Sequence, residues 1–180
     1  MSVTRIRAAR GPLSPWQLRI ELLDVQPQVW RRLLVPAGIL LPALHHMFQA
    51  ALGWTNSHLH EFIINGNRYA EPNPEWADEM KQRDERRVRL DVTLGRRSRT
   101  FEYLYDFGDD WRHAVIVENQ FMPPRAPLAP VCLAGENACP PEDIGGPPGY
   151  AQFLAEGGKG FDPARFDREA VNRVLAAIRL

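Results

Sequence analysis

The sequence predicts an α+β fold: a mainly antiparallel sheet of hairpins, packed by one central helix at about residues 42–52 and by C-terminal helices. Three observations predict it. Apolar and polar residues alternate with period two in several segments, as they do in half-buried strands. Turn signals such as Asn65-Gly66 join neighbouring segments of this kind. Other segments carry the apolar spacing of amphipathic helices, and such helices commonly cover one face of an antiparallel sheet.

Length and composition indicate one domain without a membrane span. The chain has 180 residues, 44% of them hydrophobic, and its 22 basic residues balance 22 acidic ones. We expect residues 15–180 to form a single domain and residues 1–14 to be a flexible arm. The longest apolar stretch, Leu33–Leu44, is interrupted by Pro36 and Pro42 and is shorter than the roughly 20 residues that a membrane helix needs.

The cysteine content and the N-terminus favour a cytoplasmic location. No apolar run follows the arginine-rich N-terminus, so no signal peptide is predicted. Two cysteines, Cys132 and Cys139, in a chain without a secretory signal indicate a reducing compartment rather than a disulfide scaffold.

The first predicted elements are a hairpin and the central helix. Alternation over Trp16–Leu22 predicts a strand, and Val29–Val35 is its expected hairpin partner. The next element is a helix that begins at Pro42 and ends before Gly53, because these residue types suit those two positions. The core-facing stripe of this helix consists of Leu41, Leu44, Phe48 and Leu52. Two histidines, His45 and His46, are expected to lie partly exposed beside it.

A second hairpin and a charged stretch follow. His58–Ile64 alternates again, and Asn65-Gly66 then predicts a type I′ turn that leads into a short return strand over Arg68–Ala70. Glu71–Arg89 is dense in charge, which leaves open a short helix or a mobile connector. Alternation over Val88–Leu94 predicts a further strand.

A third hairpin is rich in aromatic residues. A three-residue loop would pair Tyr105 with His113 and place Asp106 opposite Arg112 as a cross-strand ion pair. This register keeps the apolar residues of both strands on matching faces, whereas a two-residue loop would mix the faces. The paired residues that it predicts are Phe107 with Trp111, Tyr105 with His113, Tyr103 with Val115, and Phe101 with Val117.

The C-terminal third predicts an irregular segment and two helices. Asn119–Pro148 is rich in proline and glycine and shows no periodicity, which is typical of functional or disordered loops. Tyr150–Leu154 predicts a short helix that stops at Gly157-Gly158. A final amphipathic helix, carrying Val171–Ile178, is expected to begin at an Asp162-Pro163 cap.

Polar residues suited to binding gather in three places: one strand with two histidines, the acidic turn of the aromatic hairpin, and the irregular segment with both cysteines. We expect folding to bring the three groups to one hollow with aromatic walls. The irregular segment contributes Cys132, Cys139, Glu142 and Asp143. The candidate groove consists of Trp54, His58, His60, Glu61, Tyr105, Asp106, Asp109, Asp110, Trp111, His113 and Tyr150.

Zinc or another divalent cation is a possible cofactor, although none is assigned. The candidate ligands are Cys132, Cys139, His58 and His60. His-x-His on a strand points both imidazoles to one side, as ligation requires; the alternative is that both hydrogen-bond at the polar end of a sheet face. Six residues separate the cysteines, which is more than the two to four of a zinc knuckle.

Several segments together resemble the plasmid pRiA4b ORF-3 family, also called the MM3350-like or IS1096-passenger family. The resemblance covers about Trp16 to Leu175, nearly the whole chain. Its segments are Val29-Trp-Arg-Arg-Leu-Leu-Val-Pro36, Gly53-Trp54, His58-Leu-His-Glu-Phe62, Tyr105-Asp-Phe-Gly-Asp-Asp-Trp111 with His113, Cys132-Leu-Ala-Gly135, Ala138-Cys-Pro-Pro-Glu-Asp143, Gly145-Gly-Pro-Pro-Gly-Tyr150, and Phe161-Asp-Pro163 ahead of Val171-Asn172.

The resemblance implies a compact α+β protein, often encoded near plasmid or transposon genes, and it carries no established activity. Many members have a cysteine where this chain has Ile144, so a zinc site on three family cysteines would lack one ligand here. The "TnpR" label of some relatives suggests a resolvase. A tyrosine recombinase needs a His-x-x-Arg arrangement, but none of the five histidines is followed three residues later by arginine. A serine recombinase needs a nucleophilic serine among arginines. Only Ser98 has such neighbours, and it lies in an expected exposed turn. The recombinase interpretation is therefore rejected.

Three functional hypotheses follow. The sequence has no Walker loop, dinucleotide fingerprint, nucleophile elbow or H-E-x-x-H, so no catalytic residue is assigned and a non-catalytic module that binds a protein or peptide in the groove is favoured. The alternative is a metal-dependent hydrolase or nuclease. A second alternative is a DNA accessory protein of a mobile element, which zero net charge disfavours. The hydrolase would use His58, His60, Asp106, Asp109 and His113, and the DNA protein would use Arg5, Arg7, Arg10, Arg19, Arg96, Arg97 and Arg99.

Overall fold

The structure is a computed structural model that describes residues 15–72, 81–95, 97–120 and 130–178. The arm expected at residues 1–14 lies outside these ranges, as do residues 73–80 of the charged stretch and Arg96. No helix within the ranges is long and apolar enough to cross a bilayer. The strands are β1 (Pro15–Leu22), β2 (Trp30–Pro36), β3 (His60–Ile64), β4 (Asn67–Ala70), β5 (Arg83–Asp84), β6 (Thr100–Tyr105), β7 (Trp111–Asn119) and β8 (Val131–Glu136). The helices are α1 (Leu41–Leu52), α2 (Leu90–Leu94), α3 (Gly146–Ala155) and α4 (Arg168–Leu175).

The described strands form one sheet in the order β5-β4-β3-β6-β7-β1-β2-β8. Neighbouring strands pair antiparallel except β4 and β5, which pair parallel. The apolar stripe of α1 packs into the same core as the apolar face of the sheet. The predicted α+β class is therefore confirmed.

The first hairpin and the central helix form as predicted. The apolar positions of Trp16–Leu22 are buried, and β1 pairs with β2 with Leu18 opposite Leu33. Helix α1 ends at Gly53, whose φ of 86° is the left-handed conformation that glycine adopts without steric cost. One expectation is wrong: His46 is exposed, but His45 is buried, because all its polar atoms find partners inside the protein.

The Asn65-Gly66 hairpin is also confirmed. Both turn residues have positive φ, 51° and 76°, and Phe62 pairs with Tyr69 across β3 and β4. The strand before this turn is shorter than predicted, because it begins at His60 and leaves His58 in the preceding bend.

The aromatic hairpin adopts a different register from the predicted one. Tyr105 pairs with Trp111, and Tyr103 pairs with His113, so the partner strand is displaced by two residues and the loop spans 106–110. Side chains alternate with period two, so a displacement of two residues leaves every apolar side chain on its expected face. Apolar patterning alone therefore cannot distinguish the two registers.

Asp106 belongs to this longer loop and makes no ion pair with Arg112. Its Oδ1 accepts hydrogen bonds from the backbone N–H groups of Gly108 and Asp109 at 2.9 and 3.3 Å, which stabilises the wider turn. Arg112 instead donates to Glu102 on β6 at 3.0 Å. The predicted cross-strand ion pair is wrong for this reason.

The strand expected at Val88–Leu94 is instead the short helix α2. Leu90 and Leu94 are both buried, and their spacing of four residues fits one helical turn as well as period-two alternation. Val92, which alternation would place on the buried face with them, is 65% exposed. A short apolar run does not separate these two interpretations.

The segment Asn119–Pro148, expected to be irregular, contains strand β8 and the start of α3. Strand β8 pairs with β2 at the edge of the sheet through its main chain, and its burial does not alternate, so its side chains give no strand signal. Helix α4 begins later than predicted. Asp167, not Asp162, caps it by accepting a hydrogen bond from the N–H of Ala170 at 2.9 Å.

A buried guanidinium connects three parts of the fold. Arg31 on β2 is 3% exposed, and its N–H groups donate to the carbonyl oxygens of Trp30, Ala51, Glu136 and Asn137 at 2.7–3.0 Å. It thereby ties the end of α1 to the segment after β8. Burial lowers the pKa of the Arg31 guanidinium from its ordinary value.

Candidate functional site

A cavity of about 860 Å³ opens between the start of α1, the segment before β3 and the segment around β5. This volume lies in the range of about 300–1,000 Å³ that is typical of ligand pockets. Four imidazoles and two carboxylates line the cavity: His45, His46, His58, His60, Glu71 and Glu85. We call it the histidine cavity.

One wall of the histidine cavity is a closed hydrogen-bond network around His45. Gln49 Nε2 donates to Tyr103 Oη, and that hydroxyl lies 2.8 Å from His45 Nδ1. His45 Nε2 in turn contacts Asn56 Oδ1, and the Asn56 N–H donates to Gln49 Oε1. Burial lowers the pKa of His45 to about 3. Both ring nitrogens are occupied, so His45 is a structural imidazole.

His60 lies flat on His45, with ring centroids 3.5 Å apart and planes 5° from parallel. Its Nε2 lies 3.1 Å from both carboxylate oxygens of Glu85, which is 2% exposed. His58 contacts other carboxylates, so the two imidazoles have separate partners, and His60 makes the hydrogen bonds that the alternative to ligation predicts. The reason is that β3 begins at His60, and strand alternation does not extend to His58.

His58, Asp106 and Asp143 converge at the edge of the histidine cavity. His58 Nε2 lies 3.0 Å from Asp143 Oδ1 and 3.6 Å from Asp106 Oδ2. One ligand atom of each residue lies within 4.8 Å of the others. We call these three residues the His-Asp-Asp cluster. It brings together the bend before β3, the turn after β6 and the loop before α3.

Asp109 attaches that loop to the acidic turn. Its Oδ2 accepts hydrogen bonds from the N–H groups of Ile144 and Gly145 at 3.2 and 3.1 Å. Gly146 approaches the Asp109 carbonyl so closely that no Cβ would fit between them. Asp109 is therefore not a third carboxylate of the cluster but the residue that places Asp143 beside Asp106.

Glu142 supports the cluster from the opposite side. It accepts hydrogen bonds from the Tyr105 hydroxyl and from both the N–H and the Oγ1–H of Thr55. Burial, together with the hydrogen bond to Glu142, raises the pKa of Tyr105. These contacts fix the loop at the residue directly before Asp143.

The expected aromatic groove is filled by its own side chains. Trp54 stacks on Tyr105 with ring centroids 5.0 Å apart and donates its Nε1–H to Pro140. Tyr105, Trp111 and Tyr150 are at most 1% exposed, and Trp54 is 7% exposed. The prediction of an open aromatic groove is therefore wrong, because these rings pack on one another and hydrogen-bond to Pro140 and Glu142 of the loop before α3. The accessible surface is the histidine cavity.

Two predicted acidic residues lie away from the site. Glu61 is fully buried and accepts hydrogen bonds from Arg68 and Gln82, because alternation along β3 turns it to the other face from His60. Asp110 is exposed at the far end of the turn. Neither is among the residues that line the histidine cavity.

The cysteines do not join the histidines. Cys132 is buried on β8, where its backbone N–H donates to Asn172, and burial raises its pKa and that of Cys139. Within the described ranges, the residues grouped closely enough to hold a metal are the His-Asp-Asp cluster and include neither thiol. The described residues thus do not bring the predicted ligands Cys132, Cys139, His58 and His60 together in one such group.

His113 is fully buried and faces Trp54 rather than the cluster. Its Nδ1–H donates to the carbonyl oxygen of Tyr103 at 3.1 Å, and its buried Nε2 has no hydrogen-bond partner among the residues described. Burial lowers the pKa of His113 from 6.5 to about 4. His113 therefore does not join His58 and Asp106 as the hydrolase alternative requires, because it lies on the buried face of β7 and faces the core.

We expect His113 to make the protein less stable in acid. Between pH 6.5 and 4 the unfolded chain binds a proton at this position and the folded chain does not, so the free energy of unfolding falls as pH falls. The difference between the two pKa values of His113, unfolded and folded, corresponds to a decrease in the free energy of unfolding on the order of 3 kcal/mol. Urea unfolding at a series of pH values measures it, with His113→Gln as the comparison.

His113→Gln has no titrating group and keeps an N–H donor for Tyr103. Its free energy of unfolding should therefore depend less on pH than that of the wild type over the same interval, whatever its stability at neutral pH. Equal slopes for the two proteins would contradict the assignment of acid sensitivity to His113.

Comparison with known proteins assigns the family. The family model described as "Plasmid pRiA4b ORF-3-like protein" matches residues 15–172. The chain belongs to the plasmid pRiA4b ORF-3-like family. This confirms the family resemblance that the sequence segments indicate.

Two proteins are similar to this pRiA4b ORF-3-like chain over most of its length. "Uncharacterized protein y4hQ" of Sinorhizobium fredii (strain NBRC 101917 / NGR234) is 44% identical over 138 residues, which are 76% of this chain and 70% of that protein. The crystal structure of the protein of unknown function MM3350 from Methanosarcina mazei Go1 superposes with a TM-score of 0.78 at 26% identity, covering 89% of this chain and 97% of that one. Neither name states an activity.

The segments that carry the pRiA4b ORF-3-like resemblance meet at the His-Asp-Asp cluster. His58 comes from His58-Leu-His-Glu-Phe62, Asp106 from the segment that begins at Tyr105, and Asp143 from Ala138-Cys-Pro-Pro-Glu-Asp143. Sequence reasoning named the first two residues but left Asp143 out of the candidate groove. It missed Glu85 entirely, because nothing in the charge-dense stretch distinguishes that carboxylate from its neighbours.

Proposed function

We propose that this protein is a non-catalytic binding module, and that the histidine cavity receives a basic side chain of a protein or peptide partner. The observation that carries the proposal is the cavity itself: about 860 Å³ in volume, reachable from solvent and lined by carboxylates. No catalytic template in the sequence competes with this interpretation. The proposal keeps the predicted class of partner and moves its site from the aromatic groove to the histidine cavity.

The charges of the cavity favour a cationic guest. Glu71 and Glu85 line it. The lining residue Arg86 is neutralised by Asp84, whose carboxylate it contacts at 2.7–3.0 Å. A lysine or arginine side chain entering the cavity would therefore meet excess negative charge.

The rim of the cavity is apolar and suits the remainder of a peptide. Leu59 is 46% exposed at this edge, and Pro42 and Phe107 line the same opening. Exposed apolar patches mark protein interaction sites. A segment with apolar residues on both sides of one basic residue matches this arrangement.

The two alternative functions receive less support from the described residues. The hydrolase hypothesis needs His60, Asp109 and His113 in one site with His58 and Asp106, and these three are engaged elsewhere. The DNA hypothesis relies on arginines of which Arg5, Arg7, Arg10 and Arg96 lie outside the described ranges. We also propose a cytoplasmic location, which Cys132 and Cys139 support by being free thiols, and an association with mobile elements, which the plasmid name of the family supports.

Retention of synthetic peptides tests the proposed function. We would pass two pools of random heptapeptides over the immobilised full-length protein, one pool with Lys or Arg at the centre and one with Asp or Glu. The protein should retain the basic pool about tenfold more strongly than the acidic pool, because the carboxylates of the cavity attract a basic side chain and repel an acidic one. Mass spectrometry of the eluate measures the ratio.

A pair of tryptophan variants locates the binding. His46→Trp places an indole in the opening of the histidine cavity and should abolish the preference for basic peptides. Val92→Trp puts the same side chain on an exposed position of α2, outside the cavity lining, and should leave the preference unchanged. Equal retention of the two pools by the wild type, or equal effects of the two variants, would overturn the proposal.

A further inference from the structure

We propose that the His-Asp-Asp cluster is a binding site for one first-row divalent cation, and that Zn²⁺ is its preferred ion among Zn²⁺ and Mn²⁺. The site is distinct from the histidine cavity, although His58 borders both. It goes beyond the proposed function, since cation binding here does not depend on whether a peptide occupies the cavity.

The distances fit a cation between the three side chains. Nitrogen and oxygen ligands lie about 2.0–2.2 Å from Zn²⁺, so neighbouring ligands of a tetrahedral ion are roughly 3.3–3.6 Å apart. His58 Nε2 lies 3.0 Å from Asp143 Oδ1 and 3.6 Å from Asp106 Oδ2, and the whole group lies within 4.8 Å. These separations are compatible with three ligands on one ion.

A second indication of a ligand is that His58 Nε2 lacks a hydrogen bond, although the rest of this side chain is 28% exposed. Its Nε2 atom is buried, yet it makes no hydrogen bond with any described residue, although two carboxylate oxygens are close. The Asp106 oxygen, at 3.6 Å, is too far for a hydrogen bond, and the contact with Asp143 is an ion-pair contact without hydrogen-bond geometry. Buried polar atoms normally find partners, and a cation held between the imidazole and the carboxylates would supply one.

Each carboxylate keeps an oxygen available for the ion. Asp106 uses Oδ1 for the turn hydrogen bonds to Gly108 and Asp109, and its Oδ2 is the atom that faces His58. The side chain of Asp143 is 74% exposed, so the cluster is open to solvent on that side. Ions can therefore enter without unfolding the loop.

The chemistry of the ligands selects the ion. One imidazole suits Zn²⁺, and two carboxylates supply the negative charge that balances a divalent cation. Three protein ligands leave at least one coordination position open, as in zinc sites that bind water or a further ligand. For sites of nitrogen and oxygen ligands, Zn²⁺ binds more tightly than Mn²⁺ in the usual order of affinities.

Isothermal titration of the full-length protein with ZnCl₂, and separately with MnCl₂, tests the inference. The wild type should bind one equivalent of Zn²⁺ at the cluster, more tightly than Mn²⁺. Asp143→Asn and His58→Gln should each weaken the binding of Zn²⁺ by about tenfold or more, because each replaces a carboxylate or imidazole ligand by a weaker neutral amide. Circular dichroism without metal checks that both variants fold.

The matched control is Asp110→Asn. Asp110 and Asp143 both have positive φ, 54° and 58°, a conformation that asparagine also adopts, and Asp110 lies outside the cluster. Asp110→Asn should therefore retain wild-type Zn²⁺ affinity, and His46→Trp should retain it even if it abolishes peptide binding. Absence of Zn²⁺ binding by the wild type, or equal affinities for Asp143→Asn and Asp110→Asn, would refute the site.

Discussion

Replacement of Arg31 by Met is expected to lower the free energy of unfolding by about 3–5 kcal/mol. Met keeps much of the apolar stem but removes every donor, so the carbonyl oxygens of Ala51, Glu136 and Asn137 lose their hydrogen bonds from the guanidinium. Burying a charge without a carboxylate partner has its own cost, and removing it recovers part of that cost. The loss of these hydrogen bonds should nevertheless outweigh the recovered cost of burying the charge, because the acceptors belong to the main chain and cannot be replaced by apolar groups.

Arg32→Met is the control for this prediction, because it changes the neighbouring arginine of the same strand. Arg32 makes an ion pair with Glu118 at 2.6 Å on the surface, where such pairs contribute about 1 kcal/mol or less. Urea unfolding of both variants measures the two effects. A loss for Arg31→Met no larger than that for Arg32→Met would show that Arg31 does not hold α1 to the segment after β8.

Gly146→Ala should destabilise the protein by about 3 kcal/mol or more. The added Cβ would overlap the carbonyl oxygen of Asp109, and both groups belong to backbone that is fixed by the hydrogen bonds of Asp109. Either the start of α3 or the acidic turn must move. Since that contact places Asp143 beside Asp106, the variant should also bind Zn²⁺ more weakly than the wild type.

Gly157→Ala is the control, because Gly146 and Gly157 both have positive φ but only at Gly146 does an added Cβ meet a close atom. Gly157 also has positive φ, 91°, but no atom lies within 4 Å of the position that a Cβ would take. We expect it to cost only the roughly 1–2 kcal/mol of a left-handed alanine. Thermal or urea unfolding compares the two variants, and similar losses would contradict the importance of the close contact between Gly146 and Asp109.

The elements that the sequence predicted correctly depend on local signals. Helix α1 has a proline near its start and a glycine directly after its end, and the Asn65-Gly66 turn needs only residues that tolerate positive φ. The elements that it missed depend on partners. Strand β8 forms because the edge of β2 accepts it, and α2 resembles a strand until the burial of Leu90 and the exposure of Val92 are known.

The candidate site shows the same division. The sequence predicts His58 and Asp106 as site residues, because histidines and acidic turns are residue types that can bind metals or ligands. Asp143 becomes important only when Asp109 fixes the loop beside the turn, and Glu85 only when it contacts His60. The prediction that the aromatic residues line an open groove is wrong, because these residues pack against one another and leave almost no accessible surface.

The sequence by itself determined the α+β class, the family, the central helix and the hairpins, since each follows from the period and turn chemistry of neighbouring residues. Only the tertiary structure decided the register of the aromatic hairpin and the position of the binding surface. A displacement of two residues preserves every face of a strand, so the pattern is the same in both registers. Which side chains converge is set by contacts between distant segments, and these arise only when the chain is folded.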